Sequence, residues 1–543
     1  MKVLLVTDLE GVAGVDRVED LLEGSPGFAR AQGLLGAEIA AAVTGLRAGP
    51  AGVDQIVISD SHRGGPSPTV LARDLPAGVT LHRSHDAYDP ALFADIGAVA
   101  CLGMHAAEAG FVGHTVDLTC MWEGPDGRPI SETDLVFGLA AAAGVPGIFV
   151  AGDEALAIDG IPTVATKRGT SSVAALSRDP REVVKAIKRA ARGPLQALPG
   201  LPGPLSIRFR SRWMAEMAER AGAERRDETR VNLVGDSLAA QMAMGVRVIR
   251  ATGATLSGAC RPWALSEDVA ALAGRSFTRV TPPSRESEAR RVLHSFLSQT
   301  EARDVWTCGL RALILHMLEG HAPGFFAREG LAPFLAAAVA ALKEFPADFP
   351  LDLAEDEGMA RLDGHYVLHE RGEPTRFSAD ELTAYVGALV KRNLVFGWLL
   401  AEIARQMGVP VSLPALAARP YRRTDRRIDL YWATHLVLLE SHYLRRPLGA
   451  GWEQVAEELL LGADFALRGG FLDLAGEIAI CLVAVGEDRA PERARILAAL
   501  SERQEPDGSV IDEADAKSPD PRRRYRMRAH CSGVALLALA TAS

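Results

Sequence analysis

The sequence predicts two parts: an α/β half built on a doubly wound, mostly parallel sheet, and an all-α half behind it. Three observations predict this. Through the first half, short apolar runs alternate with helix-like segments, the pattern of parallel βαβ units whose sheet is covered on both faces. Each apolar run ends in a polar cluster, and open parallel sheets bind ligands beyond the carboxyl ends of their strands. From about Arg290 onward strand-like runs nearly vanish and long amphipathic segments replace them.

Taken in order, Val3–Val6 reads as a buried strand that runs into Asp8, Glu10 and Gly11. Phe28–Leu46 has helical spacing, and Gln55–Ser59 is a strand ending in Asp60-Ser61-His62. Ala98–Leu102 is a strand ending in Gly103-Met104-His105, Glu132–Ala143 a helix, and Gly147–Ala151 a strand ending in Gly152-Asp153-Glu154. Proline and glycine interrupt the pattern at Leu195–Pro204, before a strand-like "LSIRF" and a helix-like "DSLAAQMAMGVRVIRATG". Val280–Ser287 reads as a linker. Thr383–Gln406 and Trp452–Leu467 read as helices, and the succession resembles helical toroids or solenoids without a fixed-period repeat. The expected divisions are a first domain at 1–265, a linker at 266–289 and a helical domain at 290–543.

A chain of 543 residues exceeds one ordinary core, in keeping with several domains. Its net charge of −10 argues against the basic face that a nucleic-acid partner requires. No apolar signal segment follows Lys2, and the run Leu331–Leu342 is too short to span a bilayer. A cytoplasmic protein without a membrane partner is expected. Cys101, Cys120, Cys260, Cys308, Cys481 and Cys531 are scattered with no C-x-x-C spacing, which reads as buried free thiols.

The chemistry starts from Asp8 and Glu10. Spaced i, i+2 at a strand end, they point the same way. Two acids side by side at the end of a buried strand repel each other and resist desolvation, so they need a positive partner. A metal ion is the simplest one. The other strand ends add His62 and His105, and the helix start "PISETD" adds Glu132. Three carboxylates and two imidazoles suit zinc or a similar divalent ion. Five ligands exceed the need of one tetrahedral site and fit two metals that share a carboxylate, an arrangement used for hydrolysis. Singly, each residue has an ordinary explanation: a helix cap, a loop histidine, an acid favoured at a helix N-terminus. The expectation rests on their gathering at one sheet edge.

These residues also resemble a known family. Asp8-Leu9-Glu10-Gly11, Ser59-Asp60-Ser61-His62, Gly103-Met104-His105-Ala106, Gly113-His114 and the run from Pro129-Ile130-Ser131-Glu132 to "GVPGIFVAGDE" stand in the order seen in the DppA-type zinc D-aminopeptidases. The resemblance spans roughly residues 1–255 and includes "ATKRGTSS" around Lys167. It implies a dinuclear zinc site on Asp8, Glu10, His62, His105 and Glu132, a peptide substrate and a homo-oligomer. It also implies a catalytic role for His114, flanked here by Gly113 and Thr115 where the family has serines. The implied reaction is metal-assisted amide hydrolysis, with His114 either donating to the developing oxyanion or shuttling a proton to the leaving amine. The alternatives are a dinuclear phosphoesterase, for which no basic phosphate clamp is evident, and a non-catalytic, metal-stabilised peptide-binding scaffold. No phosphate loop, H-E-x-x-H or G-x-S-x-G motif competes.

In the helical half, Asp429, His435, Glu440 and His442 lie in "IDLYWATHLVLLESH". His435 and Glu440 are five apart, a poor helical spacing for one shared metal, so packing or substrate contact is the expectation. Arg522–Arg528, "RRRYRMR", reads as a solvated basic loop or a seat for an acidic peptide. This half is expected to restrict which peptide is cleaved.

Overall fold

In the computed structural model the chain forms two compact units, Met1–Thr278 and Arg279–Ser543. The structure describes residues 1–62, 68–82, 89–156, 158–252, 265–301, 304–374, 376–411 and 425–542.

The strands of the first unit are β1 (Lys2–Thr7), β2 (Gln55–Asp60), β3 (Val79–His82), β4 (Ala98–Met104), β5 (Cys120–Glu123), β6 (Gly147–Asp153), β7 (Thr163–Ser171), β8 (Ala174–Ser177), β9 (Ser206–Phe209), β10 (Glu224–Arg225) and β11 (Arg230–Asn232). Seven of them make one sheet in the order β3-β2-β1-β4-β6-β7-β8, parallel except for the β7–β8 pair. The chain builds outward from β1 through β2 to β3, then returns to place β4 on the other side of β1. The order therefore reverses between β1 and β4, where open α/β sheets carry their ligands. Every residue of β4 and β6 is buried, so both faces of the sheet are covered, as a parallel sheet requires. The unit's helices are α1 (Pro26–Ala48), α2 (Glu132–Ala142), α3 (Pro180–Ala190), α4 (Arg212–Arg220), α5 (Leu238–Thr252) and α6 (Leu265–Ala273).

Local signals explain the helix starts. Ser25 caps α1 by accepting from the Phe28 amide, with Pro26 at the first helical position. Ser131 and Asp134 form a capping box at α2, which makes Glu132 the first helical residue. A small antiparallel sheet in the order β10-β11-β9-β5 adds to the sequence expectation, because strands of two to four residues show too few alternations to register. Helix α6, Leu265–Ala273, runs into the stretch 266–289 read as a linker.

The second unit, as described, is all helical: α7 (Glu286–Gln299), α8 (Val305–His321), α9 (Pro323–Arg328), α10 (Ala332–Leu342), α11 (Glu355–Glu370), α12 (Ala379–Val390), α13 (Leu394–Gln406), α14 (Arg426–Glu440), α15 (Glu453–Arg468), α16 (Leu472–Ala484), α17 (Pro491–Glu502), α18 (Glu513–Ala516) and α19 (Pro521–Ala540). The first of these helices, α7, packs on the last, α19, so the succession returns on itself. The segment read as one helix, Thr383–Gln406, is two, because the Asn393 side chain caps α13 and starts it afresh. Arg522–Arg528 is not a loop: it opens α19, where Arg523 pairs with Asp515 at 2.8 Å and Arg526 with Asp356. Cys101, Cys120, Cys308, Cys481 and Cys531 are free and buried; Cys260 lies outside the described residues. No helix among the described residues is long and apolar enough to cross a membrane.

Candidate metal centre

Three neighbouring strands deliver the side chains. Asp8 and Glu10 follow the end of β1, His62 follows β2 on one side, and His105 follows β4 on the other. The loop after β1 is pressed against the end of β4: the Asp8 amide donates to Leu102 O and the Gly11 amide to Gly103 O. A side chain at Gly11 would run into the Met104 carbonyl, and one at Gly103 into the Asp8 carbonyl, so glycine is required at both.

The buried side chains form two groups. In the first, His62 Nδ1 lies 2.9 Å from both Glu10 oxygens and 3.5 Å from Asp8 Oδ1. In the second, His105 Nε2 lies 3.8 Å and His114 Nε2 3.6 Å from Glu132 Oε1, with the two imidazoles stacked at 4.2 Å. Asp8 stands between the groups, because its Oδ2 lies 3.5 Å from His105 Nε2. One donor atom from each member of Asp8, Glu10 and His62 lies within 4.8 Å of the others, and the same holds for His105, His114 and Glu132.

Backbone carbonyls set the tautomers. His105 Nδ1 faces Ala106 O at 3.0 Å, His114 Nδ1 faces Val112 O at 2.7 Å, and His62 Nε2 faces Leu21 O at 3.3 Å. A carbonyl only accepts, so each of these nitrogens carries the proton and the other is aimed at the carboxylates. His105 Nε2 is buried with no hydrogen-bond partner of its own. Outer partners orient metal-ligating histidines in this way.

The charges are strongly perturbed. Burial and the adjacent Glu10 charge hold the Asp8 carboxyl well above the usual range. Burial would raise Glu10 too, but His62, the hydrogen bond with Asp8 and His105 together outweigh it and hold Glu10 well below its usual range. For His105, burial works against protonation, yet Glu132, Asp8 and Glu10 push it up to about 10. Burial and the neighbouring His105 push His114 down to about 4, so it rests neutral. The loop that carries His114 is held under strain, with Val112 (φ 51°) and Val116 (φ 68°) in the left-handed region that β-branched residues avoid. Val112 O receives His114 Nδ1–H and the Val116 amide donates to Glu132 Oε1 at 2.8 Å, so both strained residues serve the group.

Three residues have roles that the sequence left open. Lys167, fully buried on β7, donates to Glu10 O at 2.6 Å and to Val15 O, and so fixes the backbone of the β1 loop. Burial pushes its ammonium down to about 8. Asp60 and Asp153, also at strand ends, do not join the groups. Asp60 accepts from the Thr69 and Val70 amides and Asp153 from those of Phe111 and Ala155, so they hold loops.

Comparison with known proteins follows the same division. Residues 1–246 match the family model described as D-aminopeptidase, and residues 269–540 match that of a domain of unknown function (DUF6895). No curated protein matches the chain. A solved structure, the Zn-dependent D-aminopeptidase DppA from Bacillus subtilis, described as a self-compartmentalizing protease, is 20% identical. That match covers 47% of this chain and 99% of that chain, with a TM-score of 0.42.

Proposed function

We propose that the chain is a dinuclear-zinc aminopeptidase that hydrolyses an amide bond of a peptide, a reading supported by the match of residues 1–246 to the D-aminopeptidase family model. The observation that carries this reading is the orientation of the imidazoles. Each gives one nitrogen to a backbone carbonyl and turns the other toward carboxylates that repel one another without a cation. The donor set fits zinc: Asp8, Glu10 and His62 on one side, His105 and Glu132 on the other, and Asp8 facing both. Bound there, zinc would supply an acidified water and a Lewis acid for the scissile carbonyl.

His114 supplies the proton traffic. Its Nδ1–H is committed to Val112 O, so in the neutral ring Nε2 has no proton to donate and room to accept one. That favours a shuttle, which takes a proton at Nε2 and returns it to the leaving amine, over a resting oxyanion donor. Lys167 and the two glycines hold the backbone of the β1 loop that presents Asp8 and Glu10 to this chemistry. The same reading makes the chain a cytoplasmic homo-oligomer whose helical unit narrows the choice of peptide.

The test is His114→Ala in the zinc-loaded full chain, assayed on D- and L-aminoacyl amides with p-nitrophenyl phosphate as a control. Metal content by elemental analysis is expected to hold while turnover falls about 10²- to 10⁴-fold. Full activity removes His114 from the mechanism, and loss of metal makes it a ligand. Turnover of the phosphate ester alone would replace the peptidase reading with a phosphoesterase.

A further inference from the structure

The helical unit holds a second gathering of metal-ligating side chains, separate from the residues of the strand-end centre. Asp473 and Glu477 stand one turn apart on α16 and face the same way. His530 of α19 closes on them, its Nδ1 3.5 Å from Asp473 Oδ2, and His435 of α14 borders them, its Nδ1 facing Tyr431 O at 2.8 Å and lying 3.6 Å from Glu477 Oε2. One donor atom from each of Asp473, Glu477 and His530 lies within 4.8 Å of the others.

Three features separate this gathering from an ordinary ion-pair network. First, both carboxylates are buried and held in place by hydroxyls, Tyr431 donating to Asp473 and Thr434 to Glu477, each at 2.6 Å. Outer partners of this kind orient metal-ligating acids. Second, His530 Nδ1 is buried and turned toward Asp473, while the His530 and His435 side chains are 32% and 29% exposed. The carboxylates thus form a floor, and the imidazole edges reach water. Third, Asp363 of α11 adds another carboxyl to the same neighbourhood. Its carboxylate accepts from the Tyr443 hydroxyl at 3.0 Å. The adjacent Asp512 caps α16 through Oδ1, which accepts from the Leu472 and Asp473 amides at 2.6 and 3.1 Å, and its Oδ2 lies 3.7 Å from the Arg427 guanidinium.

We propose that Asp473, Glu477 and His530 form a separate metal site that takes one divalent ion of the zinc class, with water filling the solvent side. Two carboxylates and one imidazole with room for water make an open site, and the ion would tie α16 to α19.

The test uses the full-length chain with the first centre disabled by Glu10→Ala and His105→Ala, loaded with zinc, desalted and analysed for metal. One equivalent is expected to remain, and to be lost when Glu477→Gln or His530→Ala is added. Cobalt loading is expected to give visible d–d bands that vanish in the same variants. Glu477→Gln keeps the side-chain shape, so it remains informative if His530→Ala fails to fold. In the otherwise unaltered chain it is expected to lower the metal content by one equivalent. No retained metal in the disabled parent, or an equivalent that survives both substitutions, overturns the proposal. The aminopeptidase reading is untouched by either result, because two of its ligands are absent from the parent.

Discussion

Asp8 and Glu10 have the same chemistry and sit two residues apart, yet their surroundings drive them in opposite directions. Burial and the charge of Glu10 favour a proton on Asp8, whereas at Glu10 His62, the hydrogen bond with Asp8 and His105 together outweigh burial and keep it ionised. A divalent cation removes that asymmetry by letting both acids ionise. Glu10→Ala is therefore expected to lower zinc content and peptide turnover together, read by elemental analysis and by rate. A variant that keeps its full metal complement would show that Glu10 is no ligand. The spacing of these two acids was legible in the sequence, and so were His62, His105 and Glu132 at element ends. The service of Lys167 was not, because nothing local distinguishes a buried lysine that donates to two distant carbonyls from an exposed one.

At the scale of elements, β1 is the axis of the site, and helix α1 braces the loop that follows it. Glu38 of α1 accepts from the Ala13 amide at 2.9 Å through one oxygen, while its other oxygen is buried without a partner. Burial pushes this carboxyl up to about 7 from its ordinary 4.5. The folded state therefore holds a proton that the unfolded chain releases, so this group costs stability as pH rises from 4.5 to 7 and no more beyond. Glu38→Gln keeps the amide's acceptor and removes the titration. Its stability advantage over the parent, from denaturant unfolding, is expected to be absent near pH 4.5 and to grow to about 3 kcal/mol by pH 8. An advantage independent of pH would contradict this account. The α1 helix was plain in the sequence from its apolar spacing. The small antiparallel sheet was not, since strands that short leave no periodic trace.

At the scale of the whole chain, two cores built from different elements gather two kinds of polar cluster. The unit Met1–Thr278 gathers carboxylates and imidazoles at strand ends, and Arg279–Ser543 gathers acids and imidazoles from the sides of helices. Chains with two cores commonly depart from a single two-state transition, and a metal that binds only folded protein raises the transition it belongs to. Calorimetry of the full chain is expected to show a transition that rises with zinc and falls with chelator. Transitions insensitive to both would speak against a resident metal. By itself the sequence determined the division into a sheet half and a helical half, the strand ends, and five side chains suited to a cation. Those features are local, because alternation and i, i+2 spacing report which face a residue takes. Only the tertiary structure decided that β2 and β4 flank β1, which imidazole nitrogen faces the acids, that His114 joins Glu132, and that Asp473, Glu477 and His530 meet. Periodicity says which side of an element is buried but not which distant element lies against it, and convergent polar groups are a property of that long-range packing.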